Sequence, residues 1–186
     1  MIWLIVLLAV VVAVVLILIW LYNRFVRLRN RVDNAWAQIE VQLKRRWDLI
    51  PNLIETVKGY AAHERGTFEA VTQARANAQQ AQTPAETGAA EGILSQALGR
   101  LFAVAEAYPE LQADENFRQL QTELAETENR IAVSRQVYND AVLTYNNAVQ
   151  TFPGLVLAGP FGFSIREFFE VEAEAQREPP RVDFSS

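Results

Sequence analysis

Residues 2–21 read IWLIVLLAVVVAVVLILIWL, a run without a charge, a glycine or a proline. At ~1.5 Å per residue a helix of this length reaches ~30 Å, the thickness of a bilayer's hydrocarbon core. The run is too long and too uniformly apolar for a soluble helix, and it reads as a transmembrane segment occupying residues 1–22. A cleaved signal peptide is the alternative, but that calls for a basic residue before a shorter apolar run and a small-x-small site after it. Here the run ends in Trp20-Leu21-Tyr22-Asn23-Arg24. Trp3 at one end and Trp20 with Tyr22 at the other suit the aromatic belts of a spanning helix.

Flanking charge sets the expected orientation. Arg24, Arg27, Arg29 and Arg31 follow the span and only the α-amino group precedes it. The positive-inside rule therefore puts the domain in the cytoplasm and the N-terminus outside. The same arginines lie close enough to the surface to meet anionic headgroups of the lipid bilayer.

The chain has 186 residues, so one domain of moderate size remains beyond the span. All of its formal net charge of −5 falls outside the membrane, which argues against a dedicated nucleic-acid binder. Absence of cysteine removes disulfides, thiolate metal sites, cysteine nucleophiles and a lipidated N-terminal cysteine.

Beyond the span the helical period continues. Phe25, Leu28, Val32, Ala35, Ile39, Leu43, Trp47, Ile50, Ile54, Val57 and Ala61 recur at spacings of three and four, one face of a single long helix. Span and first helix are expected to form one rod to about Ala62. Pro51 leaves the carbonyl four residues back, that of Trp47, without its helical donor, so a bend is expected near residues 48–51. A second, Ala-rich helix is expected over residues 64–81, with Phe68, Val71 and Ala74 or Ala78 inward. A third follows over 85–108, weak across Gly88 and Gly92 but patterned through Ile93, Leu94, Ala97, Leu98, Leu101 and Ala105, and Pro109 is expected to end it. The fourth, 114–151, repeats Phe117, Leu124, Ile131, Tyr138, Tyr145 and Phe152 at one heptad position and Leu120, Thr127, Ser134, Ala141 and Ala148 at another.

Residues 34–53, NAWAQIEVQLKRRWDLIPNL, with Thr56-Val57-Lys58-Gly59-Tyr60 and His63-Glu64, closely resemble the signature of the LemA family. The resemblance extends to the tail, through Phe168-Phe169-Glu170 and Pro179-Pro180-Arg181-Val182-Asp183-Phe184. Trp47 stands where Tyr or His is more usual. The resemblance implies a single-span bacterial inner-membrane protein carrying a helical bundle, and it implies no reaction. The expected fold class is all-α, with the span continuous with an antiparallel bundle of two long and two short helices over 23–151 and a Gly/Pro-rich apolar and acidic tail over 152–186.

Helix lengths carry a further expectation. The first soluble helix and the fourth are each ~55–60 Å, the second and third ~30 Å. Short links make neighbours antiparallel. A four-helix core would then exist only far from the membrane, and two helices alone bury their apolar faces poorly. Lateral packing of several subunits is expected to cover the remainder, which makes Phe25, Val32, Tyr138 and Tyr145 subunit-interface candidates. Residues 152–163, FPGLVLAGPFGF, are apolar but too rich in Gly and Pro for a regular helix. They have three possible supports: their own bundle, a neighbouring subunit, or the headgroup region. Phe161, Phe163, Phe168, Phe169 and Phe184 are accordingly further interface candidates.

Catalytic chemistry finds little material. His63 is the single histidine, which rules out a bundle-type dinuclear site and makes a closed zinc site improbable. No glycine loop precedes a Lys-Ser/Thr pair. Arg45 and Arg46 lie roughly 35 Å beyond the span if the rod stands upright, several Debye lengths from lipid charge. Two readings stay open for them: local pairing along the helix, with Glu40 to Lys44 and Asp48 near Arg45, or an acidic surface such as Glu167, Glu170, Glu172 and Glu174 of another subunit. No catalytic, metal or cofactor residue is expected. The sequence thus points to a non-enzymatic, self-assembling membrane scaffold or adaptor with the bilayer and its own copies as partners. The alternative is an accessory subunit of a membrane protease.

Overall fold

A computed structural model describes residues 1–170, and the expectations on Glu172, Glu174 and residues 179–184, Phe184 included, lie outside the described residues. Six helices and no strand occur among the described residues: α1 (Ile2–Lys58), α2 (Arg65–Gln80), α3 (Pro84–Glu106), α4 (Pro109–Ala113), α5 (Glu115–Gln150) and α6 (Gly154–Leu157). The fold is all-α. The apolar segment passes into the first bundle helix without a break, and its most apolar window is wholly unburied. One apolar N-terminal helix is thus a candidate membrane anchor.

Local chemistry explains where the helices start. Thr83 and Glu86 close a capping box on α3, with Pro84 at the first position, where a missing N–H costs nothing. The Asp114 Oδ1 accepts the Phe117 N–H at 2.9 Å and opens α5, and that bond holds its carboxyl below the usual carboxylate range. Pro109 does more than end α3. It starts the short α4, which inserts the fully buried Leu111.

The chain divides into two compact units, both of which draw residues from α1 and α5. Among the described residues, unit 1 comprises 1–41 and 132–167, and unit 2 comprises 42–131 with 168–170. In unit 2, Ile50, Leu53 and Val57 of α1, Val71 of α2, Leu94 and Leu101 of α3 and Phe117 of α5 build the core. The buried stripe of α3 runs Thr87, Glu91, Leu94, Leu98, Leu101, Ala105, so the expected inward Ile93 is instead 56% exposed. The helical period passes through Glu91, which hydrophobicity alone skips. Gly88 is no weak point either: a Cβ there would overlap the Glu170 backbone carbonyl, so its bare backbone is what lets the chain pass beside Phe169, itself fully buried.

The orphan carbonyl expected at Pro51 has a donor. Arg75 Nε of α2 donates to the Trp47 carbonyl at 2.7 Å. The proline therefore sits inside an unbroken helix because a neighbouring cation replaces its lost N–H. Arg75→Leu should cost about 1.5–3 kcal/mol of unfolding free energy, the range for a hydrogen bond from a charged donor. In a Pro51→Ala background, where residue 51 regains its N–H, the same change should cost much less. A double-mutant cycle in urea checks this.

Unit 1 is built from Leu21, Phe25, Val32, Ala35 and Ile39 of α1 and Tyr138, Ala141, Val142, Tyr145, Ala148 and Val149 of α5, all buried. The heptad of α5 stops one step early. Helix geometry ends at Gln150, so Phe152 leaves the register and is 85% exposed. The tail turns through α6, which includes the single helical turn of the apolar stretch, and then runs without regular structure to residue 170.

Candidate functional site

Two constellations gather most of the polar contacts made between distant parts of the chain. The first lies in unit 2. Arg46 lies on the buried face of α1, since the 3.6-residue period places it three positions after Leu43 and four before Ile50, and it is only 5% exposed. Its Nη1 stands 2.9 Å from Glu91 Oε2 and 2.8 Å from Glu128 Oε2, and its Nη2 donates to Ser95 Oγ at 2.8 Å. Trp47 Nε1 donates to Glu91 Oε1 at 2.7 Å.

Burial pushes the Glu91 carboxyl up, against the opposing pull of the Arg46 charge and the Trp47 N–H. Both oxygens of Glu91 and both terminal nitrogens of Arg46 are thereby engaged. A charge pair so enclosed does little for net stability but strongly penalises any arrangement in which one partner is missing. It can lock α1, α3 and α5 in one register. It offers no free nucleophile or base, and among the described residues no group of three or more His, Cys, Asp or Glu could hold a metal.

Arg46 thus finds its acidic partners, Glu91 and Glu128, on its own chain. Arg45 remains exposed. Lys44 pairs with Asp48 at 2.8 Å, and Glu40 accepts from Trp36 Nε1 rather than from Lys44. His63 is exposed in the turn after α1.

The second constellation lies in unit 1, where the tail closes over α1 and α5. The Phe163 ring packs 5.1 Å from Phe25 and 5.7 Å from Tyr22, with the Arg29 guanidinium 5.3 Å from its face. Tyr145 Oη donates to the Ser164 carbonyl and Tyr138 Oη to the Glu167 carbonyl, both at 2.8 Å. Asn146 Nδ2 donates to the Arg166 carbonyl and its Oδ1 accepts the Arg166 N–H, again at 2.8 Å each. Arg166 reaches Asp33 at 3.2 Å.

The polar atoms on the α5 seam thus grip an extended backbone, which is why two of its heptad aromatics are tyrosines. Phe25, Val32, Tyr138, Tyr145 and Phe163 are buried by their own chain, and Phe169 is buried in unit 2. In unit 1 the tail supplies a third layer beside α1 and α5. Phe161 keeps partial exposure edge-on to Tyr22, and Phe168 is 37% exposed.

Among the membrane-interface candidates, Trp3, Trp20 and Tyr22 are exposed, and the Arg24 guanidinium lies 5.5 Å over the Trp20 ring. Arg27 and Arg31 line a groove with Asn30, Asn34, Gln38 and Val137.

Burial pushes the Tyr138 hydroxyl up to about 12, and it raises Tyr145 as well. A phenolate cannot donate to the tail. Because the folded value lies above the ordinary one, the stabilisation is full below pH ~10 and is lost as pH rises through the folded value. Absorbance titration should show a late-ionising phenol that Tyr138→Phe removes, with a cost of about 1 kcal/mol.

Sequence reasoning missed Glu91, Ser95 and Asn146. The available signal for Glu91 was its place on the α3 stripe between the small residues Gly88 and Gly92; Asn146 had none.

Residues 35–184 match the model of the LemA family. Similar proteins include magnetosome protein MamQ 2 of Paramagnetospirillum magneticum, 30% identical, with the alignment covering 86% of this chain and 68% of that protein. Magnetosome protein MamQ of Magnetospirillum gryphiswaldense is 28% identical, covering 85% and 68%. Protein LemA of Metamycoplasma hominis is 27% identical, covering 70% and 60%.

Proposed function

This chain belongs to the LemA family, and on that premise we propose that it is a non-enzymatic, membrane-anchored helical scaffold or adaptor. It would self-assemble on the cytoplasmic face of a bacterial inner membrane and organise membrane proteins or membrane shape. The observation that carries this reading is α1. The helix that holds the unburied apolar segment goes on to supply Phe25 and Ile39 to unit 1 and Ile50 and Val57 to unit 2. An anchor that is part of both cores gives the lipid a direct mechanical link to the folded domain. The Arg46 and Tyr138 constellations support a structural role, since their polar groups are engaged in holding helices and tail together.

Self-association must use surface that the tail leaves free. Val133 and Val137 stand one turn apart on α5, 64% and 44% exposed, and are a pair of apolar positions of unit 1 suited to it. The test is reconstitution of the full-length protein alone in liposomes at rising density, followed by imaging. Regular homo-oligomers that Val133→Glu/Val137→Glu dissolves support a scaffold. Isolated particles at every density would overturn it and leave a partner-dependent adaptor, such as a membrane-protease subunit.

A further inference from the structure

From Ala141 to Ile165 the chain carries no charged residue, and its middle is the most exposed apolar surface beyond the N-terminal segment. Phe152 is 85%, Leu155 65% and Val156 62% exposed. These three side chains crown the turn containing α6, and the location of that turn is fixed. Gly154 packs against Phe25, Phe161 and Phe163 pack against Tyr22, and Leu21 is buried. The turn therefore flanks the last residues of the apolar segment, where a spanning helix leaves the hydrocarbon.

We infer that this turn is a second membrane contact, with Phe152, Leu155 and Val156 inserted into the bilayer interface beside the span. The inference rests on the reading of α1 as a membrane anchor. Its backbone is already suited to a poorly hydrated region, where unsatisfied N–H groups are costly. Leu155, Val156, Ala158, Phe161, Gly162 and Phe163 donate their N–H groups to carbonyls of residues 151–159, and Pro153 and Pro160 have none to donate. Exposed aromatic and aliphatic side chains on an uncharged turn match an interfacial lipid environment rather than water. With α1 and α5 both ending their membrane-proximal course there, the protein would hold the bilayer at two adjacent points and resist tilting or rotation about α1.

The chain has no cysteine, so single thiols can be placed without background. Full-length Leu155→Cys, Val15→Cys and Val133→Cys, at one protein per nanodisc, are treated with a membrane-impermeant maleimide. The thiolate is the reacting species and forms only where water reaches it, so Leu155→Cys and Val15→Cys should react on the order of tenfold more slowly than Val133→Cys. After the discs are dissolved in SDS and urea all three should react alike. Rapid reaction at residue 155 with residue 15 protected overturns this inference alone. Rapid reaction at residue 15 overturns the anchor beneath it. Protection at residue 155 only when several copies share a disc would show that a neighbouring chain, not lipid, covers the turn, and also overturns it.

Discussion

Arg46→Met should destabilise unit 2 by about 3–5 kcal/mol at neutral pH, the usual cost of stranding one member of a buried ion pair. Removing the guanidinium takes away the cationic contact of Glu91, 2% exposed, and leaves it only the Trp47 N–H. Glu128 loses less, because its side chain is half exposed and water can take over.

The penalty carries a pH signature. Glu91 already binds a proton more readily folded than unfolded, since burial raises its folded value. In the variant that tendency grows, as the Arg46 charge that opposed it is gone. Stability should then fall as pH rises from the ordinary glutamate value through the raised folded one, with the full penalty above that window and partial recovery below it. Arg46→Met/Glu91→Gln keeps an acceptor for Trp47, removes the stranded charge, and should restore most of the loss. Denaturant unfolding at neutral and mildly acid pH separates these outcomes. An Arg46→Met effect that is small and independent of pH would mean that Glu91 is not enclosed as described.

Gly154→Val should detach the tail from unit 1. A Cβ at this position overlaps the Ala148 carbonyl oxygen and comes within 3.2 Å of the Phe25 ring, and backbone at the end of α5 cannot swing aside as a surface side chain would. Overpacking of this kind costs about 1–3 kcal/mol, more where nothing can yield. The loss should appear as faster amide exchange over residues 155–167 and as exposure of Phe25 and Phe163. Gly159 provides the control, with nothing within 4 Å of the Cβ a substitution would add, so Gly159→Ala should leave exchange unchanged.

Much of the fold is legible in the sequence because its signals are periodic. The stripe from Phe25 to Ala61 marks α1, and the heptads from Phe117 to Tyr145 mark α5, since each buried position repeats with the helix. Thr83-Pro84 is legible as a break after the second helix, while its capping box with Glu86 is a finding of the structure. The remainder depends on pairing between distant residues, which no local period records. Glu91 is inside because Arg46 and Trp47, 45 and 44 positions earlier, neutralise and hydrogen-bond it. Ile93, more apolar, is outside because its direction on the helix is wrong.

The tail was the least readable part, and for the same reason. Its Gly and Pro content says correctly that it is not a long helix, but its site is specified by Tyr138, Tyr145 and Asn146, whose tail-facing polar atoms look like ordinary heptad members. The expectation that a two-helix region would need neighbours followed from leaving this third layer out.

The central claim is that the tail closes unit 1 of its own chain. Incorporating a photoreactive benzoyl-phenylalanine at Phe161, whose ring lies 5.5 Å from Tyr22, tests it in bilayers that contain isotopically light and heavy protein mixed. Cross-linked peptide pairs joining residue 161 to the segment around Tyr22 should be all light or all heavy, as contact within one chain requires. Light–heavy pairs in statistical proportion would contradict it and show the tail seated on a neighbour.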